Sequence, residues 1–206
     1  MRLLIASLFV ILSLQGFSQK QIGHFSAFQV VEKEVQTGDL ILYYPKNLSR
    51  KAGVLYLTLE LNVGLSNSIL EITKDNRQKM IEMLDAYQSM VKVLEIPKKL
   101  PASIEVGQIK ARTAFFNDGK LHMDDQQTVY FYIKVDKNGG MTLAMAIGEL
   151  VSKSNPNLKH MVPLLWFDGE KVEDFEKVIS NDNIARFMRN KDKVLSPEAL
   201  DILGEE

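Results

Sequence analysis

The sequence predicts an α+β protein in which helices pack on antiparallel sheet. Leu55, Leu57, Leu59, Leu61 and Val63 alternate with Tyr56, Thr58, Glu60 and Asn62, the period of two of a half-buried strand. Met80, Leu84, Tyr87, Val91 and Leu94 instead recur at steps of four and three, one stripe of a helix. Asn117-Asp118-Gly119 and Asn138-Gly139-Gly140 separate strand-like runs with residues that accept the positive backbone angles of a tight hairpin.

Taken in order, Met1-Arg2, the apolar run Leu3 to Leu14 and the small residues Gly16 and Ser18 have the layout of a secretory signal peptide over 1–18, leaving 19–206 as one domain. That run is shorter than the ~20 apolar residues a membrane span needs, and no later stretch is long and apolar enough. A secreted or periplasmic location follows as the expectation. The chain has no cysteine, so its core must be stabilised without disulfides, and thiolate metal sites and Cys nucleophiles are excluded.

The first strand is expected within 26–36, with Thr37-Gly38-Asp39 turning the chain into Leu40 to Tyr44 and Pro45 stopping it. The alternating Val54–Val63 segment and the short run 68–72 follow. Thr73 or Asp75 caps the helix that Pro97 ends, and residues 97–102 read as a linker. The second half predicts a long strand at 103–116, further strands at 129–135 and 141–147, and another at 161–167. Asp168 then caps a helix whose buried stripe is Val172, Phe175 and Ile179, with Phe167 stapled onto Val172. A short helix at about 183–190 and a last one opened by Ser196-Pro197-Glu198 complete the chain.

Each half therefore runs through several antiparallel strands into a helix. Ile72-Thr73 matches Phe167-Asp168, and at the same offset Met80 and Leu84 match Phe175 and Ile179. Two pseudo-repeats of a ββββα unit, 26–96 and 102–181, with a helical tail 182–206, are the expected organisation. This order of elements resembles the PUR and Whirly folds, whose nucleic-acid-binding proteins are built from two such units. The resemblance implies that topology; no signature peptide of either family is present, so it assigns no functional residue here.

Charge argues against nucleic acid as the partner. Lys and Arg total 25 against 26 Asp and Glu, a net charge of −1, too little for a body that grips phosphate backbones through bulk charge. Of the three histidines, His122 stands with Asp124 and Asp125 after the Asn-Asp-Gly turn, a combination able to bind a divalent metal or act as a general base. The plainer reading is a solvated polar loop, with His24 and His160 exposed. No serine elbow, phosphate loop, dinucleotide fingerprint or zinc-protease helix is present, and no motif asks for a cofactor or a metal.

The ligand-binding candidates are Tyr56, Tyr130 and Tyr132, set on strand faces opposite the apolar stripes, with Tyr43 as a further candidate; their flat rings could stack a sugar, a base or a partner's side chain. The expected function is a non-catalytic exported binding module for a protein or small ligand. The alternatives are a hydrolase using the His122/Asp124/Asp125 segment and, by fold analogy alone, a nucleic-acid binder.

Overall fold

The computed structural model describes residues 19–31, 34–45, 57–63, 66–93 and 103–191. These form an α+β protein: β1 (Gln19–Val31), β2 (Glu34–Pro45), β3 (Leu57–Val63), β4 (Ser66–Ile72), α1 (Lys74–Val93), β5 (Ser103–Asn117), β6 (Lys120–Val135), β7 (Met141–Ala146), β8 (Gly148–Ser152), β9 (Asn155–Val162), β10 (Leu165–Phe167), α2 (Gly169–Ile179) and α3 (Asn181–Lys191). Every pairing is antiparallel. The main sheet curls until it closes, in the order β1-β10-β7-β6-β5-β4-β3-β2, while β8 and β9 make a separate hairpin.

Alternation decides what the sheet buries. Phe25, Ala27, Leu40, Leu42, Leu70, Ile72, Ile109, Ala111, Val129, Phe131, Ile133, Leu143, Met145, Leu165 and Phe167 come from one alternate set of strand positions and pack into a single core. The helices complete that core with Met80, Met83, Leu84 and Tyr87 from α1, Val172, Phe175 and Ile179 from α2, and Ile184 and Met188 from α3. Phe175 stacks on Phe25 with ring centroids 4.2 Å apart and meets Phe167 at 5.3 Å. Val91 is exposed, so the α1 stripe turns away from the core in its last turn, and Met83 enters the core beside it.

Two seams of the ring are short of strand pairing. Between β4 and β5 the register covers only Ser68–Leu70 with Phe115–Thr113, and between β1 and β10 only Phe28 with Trp166. Each seam has a helix packed on the longer strand beside it, α1 on β5 and α2 on β1. The Asn76 amide donates to the Lys110 carbonyl (2.9 Å) and Tyr87 Oη to the Met141 carbonyl (3.0 Å). The buried Arg77 guanidinium donates to the last carbonyl of α2, at Ile179 (3.0 Å), and burial lowers its pKa.

Some local features recur along the chain. β1 and β5 each break register at a bulge, Gln21/Gly23 and Glu105/Gly107. A helix leans on each glycine: a Cβ at Gly23 would lie 3.1 Å from Val178, and one at Gly107 2.7 Å from Met83 Sδ. Thr73 Oγ1 accepts from the Asn76 amide nitrogen and Asp168 Oδ1 from that of Lys171, each at 3.0 Å, so both helices open on a side-chain cap. The row Gly23, Leu42, Leu59, Leu70 runs across β1 to β4 as Gly107, Phe131, Met145, Leu165 runs across β5, β6, β7 and β10.

Several expectations need correction. Thr37-Gly38-Asp39 is not a turn: the chain reverses between Val31 and Glu34, and Gly38 pairs with Ala27 inside β2. The segment after Lys120 is strand rather than loop, because β6 pairs with β5 back to the Asp118-Gly119 turn, where both residues have positive φ. The strand expected at 161–167 is two, the end of β9 and β10, which pair with different partners. The signal peptide, the linker at 97–102, Tyr56 and the helix opened by Ser196 lie outside the described residues. No helix among those described is long and apolar enough to cross a membrane.

Candidate functional site

The His122/Asp124/Asp125 segment is drawn together, but as a structural joint. At the β5–β6 bulge the register steps from Arg112↔Gln126 to Ala114↔Met123, so β6 carries an extra residue there and the two aspartates diverge. Asp124 is buried and accepts hydrogen bonds from the amides of Asp125 (2.6 Å) and Val151 (3.1 Å), from Gln127 Nε2 (2.8 Å) and, at 3.4 Å, from Thr113 Oγ1. Its two oxygens are thus committed to β5, β6 and β8. Asp125 is exposed and paired with Lys153.

His122 is half-buried, its ring stacked on Phe115 with centroids 5.5 Å apart and its Nδ1 3.4 Å from Ser152 Oγ. His160, expected exposed, also stacks on Phe115, at 5.2 Å, because the β8–β9 hairpin lies against β6 and β5. Its Nε2 is buried with no hydrogen-bond partner among the described residues, and burial lowers its pKa from the ordinary 6.5. The neutral ring is therefore favoured in the fold while the unfolded chain protonates normally. Stability is complete above about pH 6.5 and is lost as pH falls from there through the lowered folded value, since only the unfolded state takes up the proton in that window. Urea unfolding at pH 7.5 and 5.5 should give a lower midpoint at 5.5, and His160→Leu should lose part of that pH dependence; an unaltered pH dependence in the variant would contradict the burial argument. No group of three or more His, Asp and Glu side chains among the described residues could hold a metal ion.

The second set of candidates assembles on the outer face of the sheet. Tyr130 and Tyr132, two residues apart on β6, stack with centroids 6.0 Å apart. Desolvation, the Glu105 charge and Tyr130 raise the pKa of the Tyr132 phenol, in that order. Register extends the row: Tyr132 pairs with Ala144, Ala144 with Trp166, and Trp166 with Phe28. Tyr130 pairs with Ala146. Trp166 and Tyr132 therefore flank a strip of β7 that carries only a methyl group at this level. Tyr130, Tyr132, Trp166 and Phe28 all keep solvent exposure, whereas Ala144 is fully covered.

Lysines attend both ends of the row. Lys134 Nζ lies 5.7 Å from the Tyr132 centroid, and Lys171 Nζ, on α2, lies 4.1 Å from that of Phe28. Tyr43 sits in β2, paired with Gln21 and Thr58, on a different part of the ring, and does not join the row. Phe28, Ala144 and Trp166 escaped the sequence reading. Trp166 stands out of phase with buried Leu165 and Phe167, as Phe28 does between buried Ala27 and Gln29, and that phase was the available signal.

No protein-family model, curated protein or solved structure matches this chain.

Proposed function

We propose that the chain is an exported, non-catalytic binding module that holds its ligand on the outer face of β6, β7, β10 and β1. The observation that carries this reading is the register-aligned row Phe28–Trp166–Ala144–Tyr132, with Tyr130 beside it. Flat, partly exposed rings supply contact area at small cost in side-chain entropy, which suits binding more than bond breaking. Export rests on the signal-like residues 1–18.

The finer topology belongs to the same proposal: the fold is a duplicated ββββα unit in the PUR and Whirly manner, with β8–β9 inserted in the second copy. Matching bulges, glycine–helix contacts, caps and cross-strand rows support it. Duplication also gives the aromatic row an internal control. Continuing the Leu70↔Thr113 register by one residue sets Arg112 beside Glu71, and Glu71 pairs with Thr58, which pairs with Tyr43. The positions equivalent to Phe28, Trp166, Ala144 and Tyr132 thus hold Arg112, Glu71, Thr58 and Tyr43. That copy of the sheet closes with Arg112 and Glu71 where the other has Phe28 and Trp166, so the fold alone does not require aromatics at those two positions.

An array of oligosaccharides, oligonucleotides and peptides, probed with the protein and with Tyr130→Ala and Trp166→Ala variants, tests the assignment. The expected result is a ligand class captured by the parent and bound at least about tenfold more weakly by each variant, with melting temperatures nearly unchanged for Tyr130→Ala. Undiminished binding in both variants would overturn the assignment of this face.

A further inference from the structure

We infer that the ligand of this face is a polysaccharide chain bearing carboxylate groups; the inference rests on the row being the binding face. Spacing is the first argument. Tyr132 and Trp166 lie on either side of β7, two strand spacings or about 9–10 Å apart, with Ala144 between them. Rings that far apart cannot grip adjacent bases of a tight stack, which lie in direct contact with each other. They suit alternate sugar rings of an extended chain, whose C–H faces lie flat on aromatic rings while the unit between them spans β7.

Charge selects among sugars. Ammonium groups stand over the rings at the two ends of the row, Lys134 at Tyr132 and Lys171 at Phe28, which places positive charge on the side a ligand approaches. Contacts of this kind are worth only about 0.5–1 kcal/mol when exposed, so either lysine can swing to a ligand carboxylate without a large loss. Glu105, exposed and in register with Tyr132, accepts hydrogen bonds from sugar hydroxyls but repels a backbone charged at every unit. Widely spaced carboxylates among many hydroxyls fit this pattern, and a phosphate at each nucleotide does not.

Trp166 is the only tryptophan, so its emission reports directly from the row. The protein is titrated with a hyaluronan hexasaccharide, cellohexaose and oligothymidylate at low and moderate salt, by fluorescence and calorimetry. The hyaluronan oligosaccharide, with one carboxylate on every second sugar, is expected to change Trp166 emission and bind tightest, with affinity falling as salt rises. Lys134→Gln and Lys171→Gln should each weaken it about fivefold, the worth of one exposed ion pair. Tyr130→Ala should weaken both sugars. Equal or tighter binding of cellohexaose or oligothymidylate, still lost in Tyr130→Ala, would overturn the acidic-polysaccharide inference and leave the face as the binding site. Hyaluronan-oligosaccharide binding untouched by Tyr130→Ala and silent in Trp166 emission would overturn the face itself, and absence of binding by all three would overturn the inference.

Discussion

Phe175→Ala is expected to lower the folding stability by about 3–5 kcal/mol, the usual cost of emptying a buried phenylalanine site. Its ring is fully buried at the centre of an aromatic trio, 4.2 Å from the Phe25 centroid and 5.3 Å from that of Phe167. The trio joins α2 to β1 and β10, the seam where strand pairing is reduced to Phe28 with Trp166. Collapse around the cavity is limited because Phe25 and Phe167 are anchored in β-ladders and Val172 and Ile179 already fill the neighbouring turns of α2. Urea unfolding followed by Trp166 emission reads the effect twice, through the midpoint and through the tryptophan on the weakened seam. A midpoint within experimental error of the parent would mean that α2 contributes nothing to closing the ring. Phe175→Leu, which keeps most of the apolar volume, should recover more than half of the loss.

What could be read in advance was local. The Asp118-Gly119 turn was legible because its chemistry resides in the two residues that turn. The Asp168 cap and the Val172, Phe175 and Ile179 stripe were legible because a helix is organised within a few residues of itself. The same locality misled at Thr37-Gly38-Asp39. Turn-like residues there lie mid-strand, with Gly38 buried opposite Ala27. The candidate sites depend on pairings between distant segments. Alternation flagged Tyr130 and Tyr132, but it could not put Trp166 two strands away at the same level, since that register is set by the closing of the whole ring. His160 likewise became half-buried, its Nε2 out of solvent, only because the β8–β9 hairpin folds back on Phe115. Acid sensitivity at His160 and integrity of that hairpin are therefore linked properties of a non-local contact.

Asp124→Ala is expected to cost about 3 kcal/mol or more, although the adjacent Asp125→Ala should cost no more than about 1 kcal/mol. In sequence the two aspartates are indistinguishable; the β6 bulge buries one and leaves the other in solvent. Removing the Asp124 carboxylate strips the acceptor from the Val151 and Asp125 amides and from Gln127 Nε2, and a buried donor left without a partner loses about 1–3 kcal/mol by itself. The Val151 contact ties the β8–β9 hairpin to the body through a buried acceptor, alongside the Lys153 amide donating to the Met123 carbonyl at 2.9 Å. Loss should therefore be uneven: hydrogen exchange in the variant should accelerate first over 148–162, before the core strands β6 and β7. Asp125 gives up only its exposed pair with Lys153. Asp124→Asn keeps one oxygen for the two amides and should fall between the other variants. Equal stability losses at 124 and 125, or uniform exchange across the chain, would show that the hairpin is held by its apolar contacts on Phe115 and that the buried carboxylate is not what fastens it.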